Sequence, residues 1–263
     1  MTNEINDKQS VKNLMNLAIY AGSLLISNGA ESYRAEDTVE RMVSSTHAPD
    51  NVDCYALPTA IFLSVIYKGE NISIFKKIKV SDTNMKKIDM INAFSRNFVK
   101  NNYNLDEAYE YLKKIENYKE NKGKEVLAGA IATSFFTALF GGKSSEFISS
   151  FFIGAIISYF IMNFSKFKLS FFINNVVSAA LTSILAIISV YLGLGKDFDK
   201  IIIGVIMLIV PGLAITNALR DIMSGEFITG AITLVKAVFI ALAIAIGVGI
   251  GLKLMRGIVW NII

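Results

Sequence analysis

Apolar residues are spread unevenly along this chain, and the pattern changes at Lys124. Fewer than a third of the charged side chains lie after that position. Before it, apolar and polar residues alternate with the periods of helices and strands that bury one face. After it, long apolar runs follow one another with short polar connections. The pattern predicts an α-helical membrane protein with an N-terminal α+β domain, residues 1–124, and a transmembrane domain, residues 125–263.

The N-terminal domain is predicted to begin with helices. From Ser10 to Ser45, apolar residues recur at spacings of three and four, which is typical of one long helix or a pair of helices. Asn28 and Gly29 interrupt this pattern and indicate a kink or a close contact with a neighbouring backbone.

Three short segments then follow the two-residue period of strands. They are VDCYALP, TAIFLSVIYKG and NISIFKKIKV. Gly69 and its neighbours predict a turn between the last two. Two further helices are expected after them. Ser81 or Asp82 could cap the first helix, and Asn104 could cap the second.

Five apolar segments are predicted to cross a membrane as helices. A helix rises about 1.5 Å per residue and needs roughly 20 residues to cross ~30 Å of hydrocarbon. The segments are 125–142, 146–163, 169–193, 199–219 and 228–252. Lysines crowd the chain before the first of them, which predicts a cytoplasmic N-terminal domain. An odd number of spans would place the end of the chain on the opposite side of the membrane.

The composition narrows the classes of partner and chemistry. The net charge is only +4, and no basic stripe is interleaved with aromatic residues, so nucleic-acid binding is not expected. With Cys54 and His47 as the single cysteine and histidine, neither an intrachain disulfide nor a typical zinc site is expected. No cofactor is predicted. The polar N-terminus does not resemble a signal peptide.

The fourth apolar segment contains a helix-breaking pair, Pro211 and Gly212. Proline removes a backbone donor and clashes with the preceding turn, so the helix should kink or break there. Asn217, Arg220 and Asp221 follow within three turns. Broken helices beside polar side chains are how many secondary transporters form a substrate site. The alternative is a simple kink, with the charged pair in water at an ordinary helix end.

Other polar residues on the predicted spans allow more than one interpretation. Lys236 lies about two turns into the fifth span, where it faces a cavity or extends to the lipid headgroups. Thr133, Thr137, Asn174 and Asn175 are typical of helix–helix contacts. Five spans alone offer these residues few partners, so we expect homo- or hetero-oligomerisation.

The densest charge pattern lies in the sequence NGAESYRAEDTVERM. Glu31, Arg34 and Asp37 are three residues apart, so ion pairs along a solvated helix face are one interpretation. Glu36 and Asp37 could instead serve acid–base chemistry. No nucleophile motif and no phosphate-binding loop accompanies them, so no catalytic residue is assigned and the chain is not expected to be an enzyme.

Three blocks of sequence together resemble the threonine/serine exporter (ThrE) family, most closely its YjjP-type members. The blocks are GSLLISNGAESYRAEDTVERM, VIYKGENISIFKKIKVSDTNMKKIDMINAFSR and PGLAITNALRDIMSGEFITGAITL. The resemblance covers nearly the whole chain. It implies a cytoplasmic α+β domain followed by five spans, acting in the efflux of small metabolites.

The resemblance also implies partners, substrates and marked positions. YjjP-type members work with a separate small membrane subunit, of YjjB type, and their implied substrates are serine, threonine and succinate-like dicarboxylates. The family motifs fall on Gly29, Glu31, Arg34, Glu36, Asp37, Thr38, Pro211, Gly212, Asn217, Asp221 and Gly225.

The leading hypothesis is one subunit of an ion-gradient-driven exporter of small amino or carboxylic acids in the cytoplasmic membrane. Asn217, Arg220 and Lys236 are the candidates to bind a substrate carboxylate. Asp221 is the candidate to bind a proton or the amine of the substrate. The alternatives are a membrane-anchored hydrolase-like enzyme, and a sensor or scaffold with anchoring helices.

Overall fold

The computed structural model describes residues 7–79, 83–101, 104–164 and 170–262. Residues 260–262 are described by their backbone alone. It divides the chain into two compact units. Unit 1 contains Met1–Lys119 and Leu213–Val235, and unit 2 contains Glu120–Gly212 and Lys236–Ile263. The division therefore differs from the predicted boundary at Lys124, since a segment from the predicted membrane domain belongs with the N-terminal residues.

Two helices open unit 1, with the predicted interruption between them. Helix α1 spans Lys8–Ser27 and α2 spans Ser32–Ser44. Asp7 caps α1 by accepting the N–H of Ser10 at 2.7 Å. Most of α1 is buried, because it lies in the centre of the apolar core of this unit.

A three-stranded antiparallel sheet follows, as the alternating segments predict. Strand β1 spans Asn51–Leu57, β2 spans Ala60–Tyr67 and β3 spans Glu70–Lys77, in the order β1-β2-β3. Lys68 and Gly69 form the β2–β3 turn, both with positive φ, which the two-residue hairpin turn requires. One face of the sheet packs on the core.

Two helices end the N-terminal part of unit 1: α3, Met85–Lys100, and α4, Leu105–Glu116. Asn104 caps α4 as predicted, accepting the N–H of Asp106 at 3.0 Å. Asn84 caps α3, accepting the N–H of Lys87 at 2.8 Å. The predicted caps Ser81 and Asp82 lie outside the described residues.

The described residues from Lys122 onward form seven helices, and the five predicted spans correspond to the first six of them. The seven helices are α5 (Lys122–Leu139), α6 (Ser144–Phe164), α7 (Phe171–Tyr191), α8 (Phe198–Ile206), α9 (Gly212–Met223), α10 (Phe227–Leu254) and α11 (Arg256–Ile262). Three of them, α6, α7 and α10, are long and apolar enough to cross a membrane, judged over the described residues. Length and composition therefore support three membrane spans among the described residues, whereas five were predicted.

Two of the five predicted spans differ from the helices observed in the structure, each for an identifiable reason. Helix α5 has only 18 residues, and Lys122, Lys124 and Glu125 in its first turn leave too short an apolar stretch. The fourth predicted span is two helices, α8 with nine residues and α9 with twelve. The chain leaves the helical conformation before Pro211, which cannot donate the backbone hydrogen bond that a continuous helix needs.

Helices within unit 2 pack closely through small polar residues. Thr133 Oγ1 donates to the carbonyl of Ser150 at 2.9 Å, and Thr137 Oγ1 lies 2.6 Å from Ser150 Oγ. A Cβ on Gly154 or Gly204 would overlap these threonines, so neither position has room for a side chain. Thr133 and Thr137 thus have hydrogen-bond partners within the chain, and the expected oligomerisation stays a prediction.

Candidate functional site

Helix α9 presents a polar face to the turn between α1 and α2. Asn217, Arg220 and Asp221 stand at positions i, i+3 and i+4, so they share one side of the helix. All three contact the turn Gly29–Ser32, which lies almost 190 residues earlier in the chain. Both partners belong to unit 1.

Each of the three side chains contacts a different group of the turn. Asn217 Nδ2 donates to the carbonyl of Gly29 at 2.9 Å. Arg220 Nη1 donates to the carboxylate of Glu31 in an ion pair. The backbone N–H of Ser32 donates to Asp221 Oδ1 at 3.3 Å. The turn Gly29–Ser32 in the charge-rich N-terminal segment and the polar face of α9 therefore bind each other.

The local fold explains why the turn accepts these groups. Gly29 has φ +88°, and a Cβ there would press against Thr83, so the position requires glycine. Ser32 is the first residue of α2, and its N–H has no acceptor within that helix. Asp221 supplies the acceptor, and its negative charge is favoured at the positive end of the α2 dipole.

Glu31 is the charged centre of the site. It is only 8% exposed, yet its side chain does not cap its own helix. Arg220 binds one oxygen, and Nε of Arg34 lies 3.4 Å from the other. Two guanidinium groups thus bracket one buried carboxylate, while the Arg220 side chain remains 47% exposed. A buried carboxylate needs such partners, because desolvation is costly.

Two carboxyl groups near this centre titrate close to neutral pH. The pKa of Glu36 is raised to about 7, chiefly by burial and also by nearby Glu226, Glu40 and Asp221, against the opposing backbone hydrogen bond from Ala56. Burial also raises the pKa of Asp221 to about 6, with Glu31 and Glu226 adding to the shift. The site can therefore hold or release protons in the physiological range.

Glu36→Gln is expected to change how stability depends on pH. A carboxyl whose pKa is raised on folding stabilises the fold fully below its unfolded pKa, and this contribution is lost as pH rises from about 4.5 to about 7. Glutamine keeps the hydrogen bond with Ala56 but does not ionise. At pH 8 the variant should therefore be more stable by about 1–2 kcal/mol, after a discount for solvent screening.

The measurement is the thermal unfolding midpoint of the full-length chain in detergent at pH 4.5 and pH 8. Asp37→Asn, on the exposed side of the same helix, controls for removing one charge. A gain from Glu36→Gln of the same size at both pH values would contradict the proposed titration.

Glu36 and Glu40 also hold the free edge of the sheet. Glu36 Oε1 accepts the N–H of Ala56 at 2.7 Å, and Glu40 Oε1 accepts the N–H of Cys54 at 3.0 Å. The four-residue spacing of the acids along α2 matches the two-residue period of N–H groups on the outer edge of β1. Glu40 was not predicted as a functional residue, although its four-residue spacing from Glu36 is visible in the sequence.

The remaining predicted residues have other surroundings. Asp37 pairs with Arg41 at 2.9 Å rather than with Arg34, on the exposed side of α2. Pro211, Gly212 and Lys236 belong to unit 2. Lys236 is exposed and has no ion-pair partner among the residues that the structure describes.

One charged residue with many partners was not singled out from the sequence. Glu146 in α6 is fully buried and accepts N–H groups from Lys143 at 2.9 Å, Lys196 at 2.7 Å and Asp197 at 3.4 Å. One carboxylate thereby joins two loops of unit 2. The only signal in the sequence is an acidic residue at the start of a long apolar run.

The described residues offer little for catalysis or metal binding. No group of three or more His, Cys, Asp and Glu side chains among them could hold a metal ion. Burial raises the pKa of the Cys54 thiol, which disfavours the nucleophilic thiolate.

Comparison with known proteins identifies a family. The model of a family described as "Putative threonine/serine exporter", ThrE, matches residues 16–255, which is nearly the whole chain. Neither a curated protein nor a solved structure matches. The matched range includes the turn Gly29–Ser32, α9 and the three apolar helices.

Proposed function

Because the chain belongs to the ThrE family of threonine/serine exporters, we propose that it is one subunit of a secondary exporter of small amino or carboxylic acids. The observation that supports this best is the contact of Arg220 with Glu31 beside the buried Asp221. Opposite charges side by side match the carboxylate and ammonium groups of an amino acid. The half-exposed guanidinium is the group that a substrate can reach.

In the proposed mechanism, Glu31 occupies Arg220 until substrate arrives. The substrate carboxylate then replaces Glu31 on the guanidinium, which can bind it with two parallel hydrogen bonds. The released Glu31 and the neighbouring Asp221 become available to the substrate ammonium group. Asp221 has a pKa raised to about 6, so a proton can neutralise it when the ammonium is absent. Exchange of a proton for substrate would couple export to the proton gradient.

The same arrangement separates the two substrate classes. A threonine or serine molecule needs one cation and one anion, and Arg220 with Asp221 supplies them. A succinate-like dicarboxylate needs two cations, and Arg34 is the second guanidinium at Glu31. Arg34→Gln should therefore weaken dicarboxylate transport more strongly than amino-acid transport.

We further propose that the subunit lies in the cytoplasmic membrane with unit 1 on the cytoplasmic side. The support is the excess of lysine before α5, which follows the positive-inside pattern. A second small membrane subunit, of YjjB type, or further copies of this chain would complete the transport pathway. Lys236 remains a candidate substrate contact or headgroup anchor on α10.

Transport by sealed membrane vesicles tests the function. Vesicles with the full-length chain, with and without the second subunit, are loaded with labelled threonine, serine or succinate, and efflux is followed under an imposed pH gradient. Gradient-dependent efflux of at least one class is expected. In the same vesicles, Lys8→Cys on a Cys54→Ser background should react with an impermeant maleimide only when they are inside-out. Absence of efflux for all three compounds, despite correct insertion, would refute the function.

A further inference from the structure

The outer face of the sheet in unit 1 carries a row of exposed aromatic residues. Tyr55, Phe62 and Phe75 are direct cross-strand partners on β1, β2 and β3. They are 41%, 44% and 59% exposed, and the rings of Phe62 and Phe75 lie 5.0 Å apart. The opposite face of the same strands packs on the core. Each strand thus presents an aromatic side chain outward at the same level.

Smaller residues flank this row on both sides. On one side the register places Asp53, Ser64 and Ser73, and on the other Leu57, Ala60 and Lys77. A shallow groove of about 400 Å³ runs along the aromatic row on the serine side. The outer face is therefore ridged, with aromatic side chains standing beside small ones.

Such a surface is typical of a protein–protein contact. Aromatic residues are enriched in the cores of interfaces, and an exposed cluster of them keeps apolar area in water without benefit to the monomer. The charges of the face select the partner. Asp53 and Lys77 are of opposite sign, so the face lacks the uniform basic charge that anionic lipid headgroups attract.

The two charges lie on one diagonal of the face, with Phe62 between them. Asp53 lies on β1, in the row that contains Ser64 and Ser73. Lys77 lies on β3, in the row on the other side of the aromatic residues. A twofold rotation can therefore exchange their positions. We propose that the outer face of the sheet binds the same face of a second copy of this chain, with Asp53 of each copy opposite Lys77 of the other.

The register fixes how the two faces meet. The twofold axis lies along the other diagonal, from Leu57 through Phe62 to Ser73, and the strands of the two copies cross at nearly right angles. Orthogonal packing of two sheets is an established arrangement. Phe62 then meets its own counterpart across the axis, as an isologous contact requires.

The same rotation places large side chains over small ones. Tyr55 comes to lie over Ala60 of the second copy, and Phe75 over Ser64, to within about 2 Å, because strands are about 4.8 Å apart and rows about 6.6 Å apart. From these spacings, the face covers about 400 Å² in each copy. This is below the area of a standard interface, so confinement of both copies in one membrane supplies the effective concentration that the contact needs.

Cross-linking in native membranes tests the contact with the full-length chain. Ser73→Cys on a Cys54→Ser background puts one thiol close to the twofold axis and leaves the aromatic row intact. A short bismaleimide is used, because facing sheets lie about 10 Å apart and a disulfide would not reach. Cross-linked dimers are expected from Ser73→Cys and not from Asn97→Cys, an exposed position on α3. Equal yields from both would overturn the proposal.

Charge reversal tests the pairing of the two copies specifically. Asp53→Lys or Lys77→Asp alone places like charges opposite each other and should lower the dimer yield of Ser73→Cys at least about threefold. The double variant restores opposite charges and should restore the yield. Because the readout is cross-linking, the result does not depend on transport. A double variant with no recovery, or single variants that cross-link like the parent, would refute this interface.

Discussion

Export is expected to fall by about 10–100-fold when Arg220 is replaced by alanine, because a charge-assisted contact with the substrate is lost. Arg220→Lys should already weaken substrate binding, since an ammonium group cannot form two parallel hydrogen bonds with a carboxylate. The measurement is the concentration dependence of efflux at matched levels of protein in the membrane. Arg41→Lys, in the exposed pair with Asp37, is the matched control and should behave as the parent.

Arg220 also stabilises the fold through Glu31, and a pair of variants separates the two roles. Arg220→Gln leaves the buried carboxylate of Glu31 with Arg34 as its remaining cation, so the unfolding midpoint should fall. Adding Glu31→Gln removes this incompletely neutralised charge and should restore the midpoint, but not the export. Recovery of export in the double variant would show that Arg220 acts only by holding Glu31.

The largest loss of stability is expected for Glu146→Ala. The substitution removes one acceptor from three backbone N–H groups and leaves a cavity in a fully buried site of unit 2. Buried donors without an acceptor cost about 1–3 kcal/mol each, so a total of about 3–5 kcal/mol is expected. The measurement is the thermal or denaturant unfolding of the chain in detergent, together with the amount of protein inserted in the membrane.

Glu146→Gln distinguishes hydrogen bonding from charge. Its carbonyl oxygen can still accept from Lys196, so a smaller loss than for alanine is expected. Asp199→Ala, an exposed acidic residue in the first turn of α8, is the control and should cost less than about 1 kcal/mol. Equal effects of Glu146→Ala and Asp199→Ala would contradict the role of Glu146 as the joint between two loops.

Local patterns in the sequence were sufficient for the N-terminal elements. The three strands follow from two-residue alternation, and the start of α4 follows from Asn104, because both signals act between near neighbours. The break before Pro211 follows equally from local chemistry. These features depend on residues within a few positions of one another.

Contacts between distant residues could not be predicted in this way. No periodicity relates Glu31 to Arg220, and the helix that carries Arg220 was placed in a membrane span because of its apolar neighbours. Helix α9 has only twelve residues and belongs to unit 1, where its polar face binds the turn. The family resemblance marked Asn217, Asp221 and Glu31 but did not reveal that they are partners.

The distance along the chain between these partners has a consequence for biosynthesis. The contact of Glu31 with Arg220 joins residues 189 positions apart. At about 5–20 residues per second, the ribosome needs roughly 10–40 s to pass from one to the other. During that interval Glu31 lacks Arg220 and the first N–H of α2 lacks Asp221, while the apolar helices α5 to α8 are already being made. A fragment that stops at the predicted boundary of residue 124 would keep both defects permanently, so production of the isolated N-terminal domain requires residues 213–235 to be supplied with it.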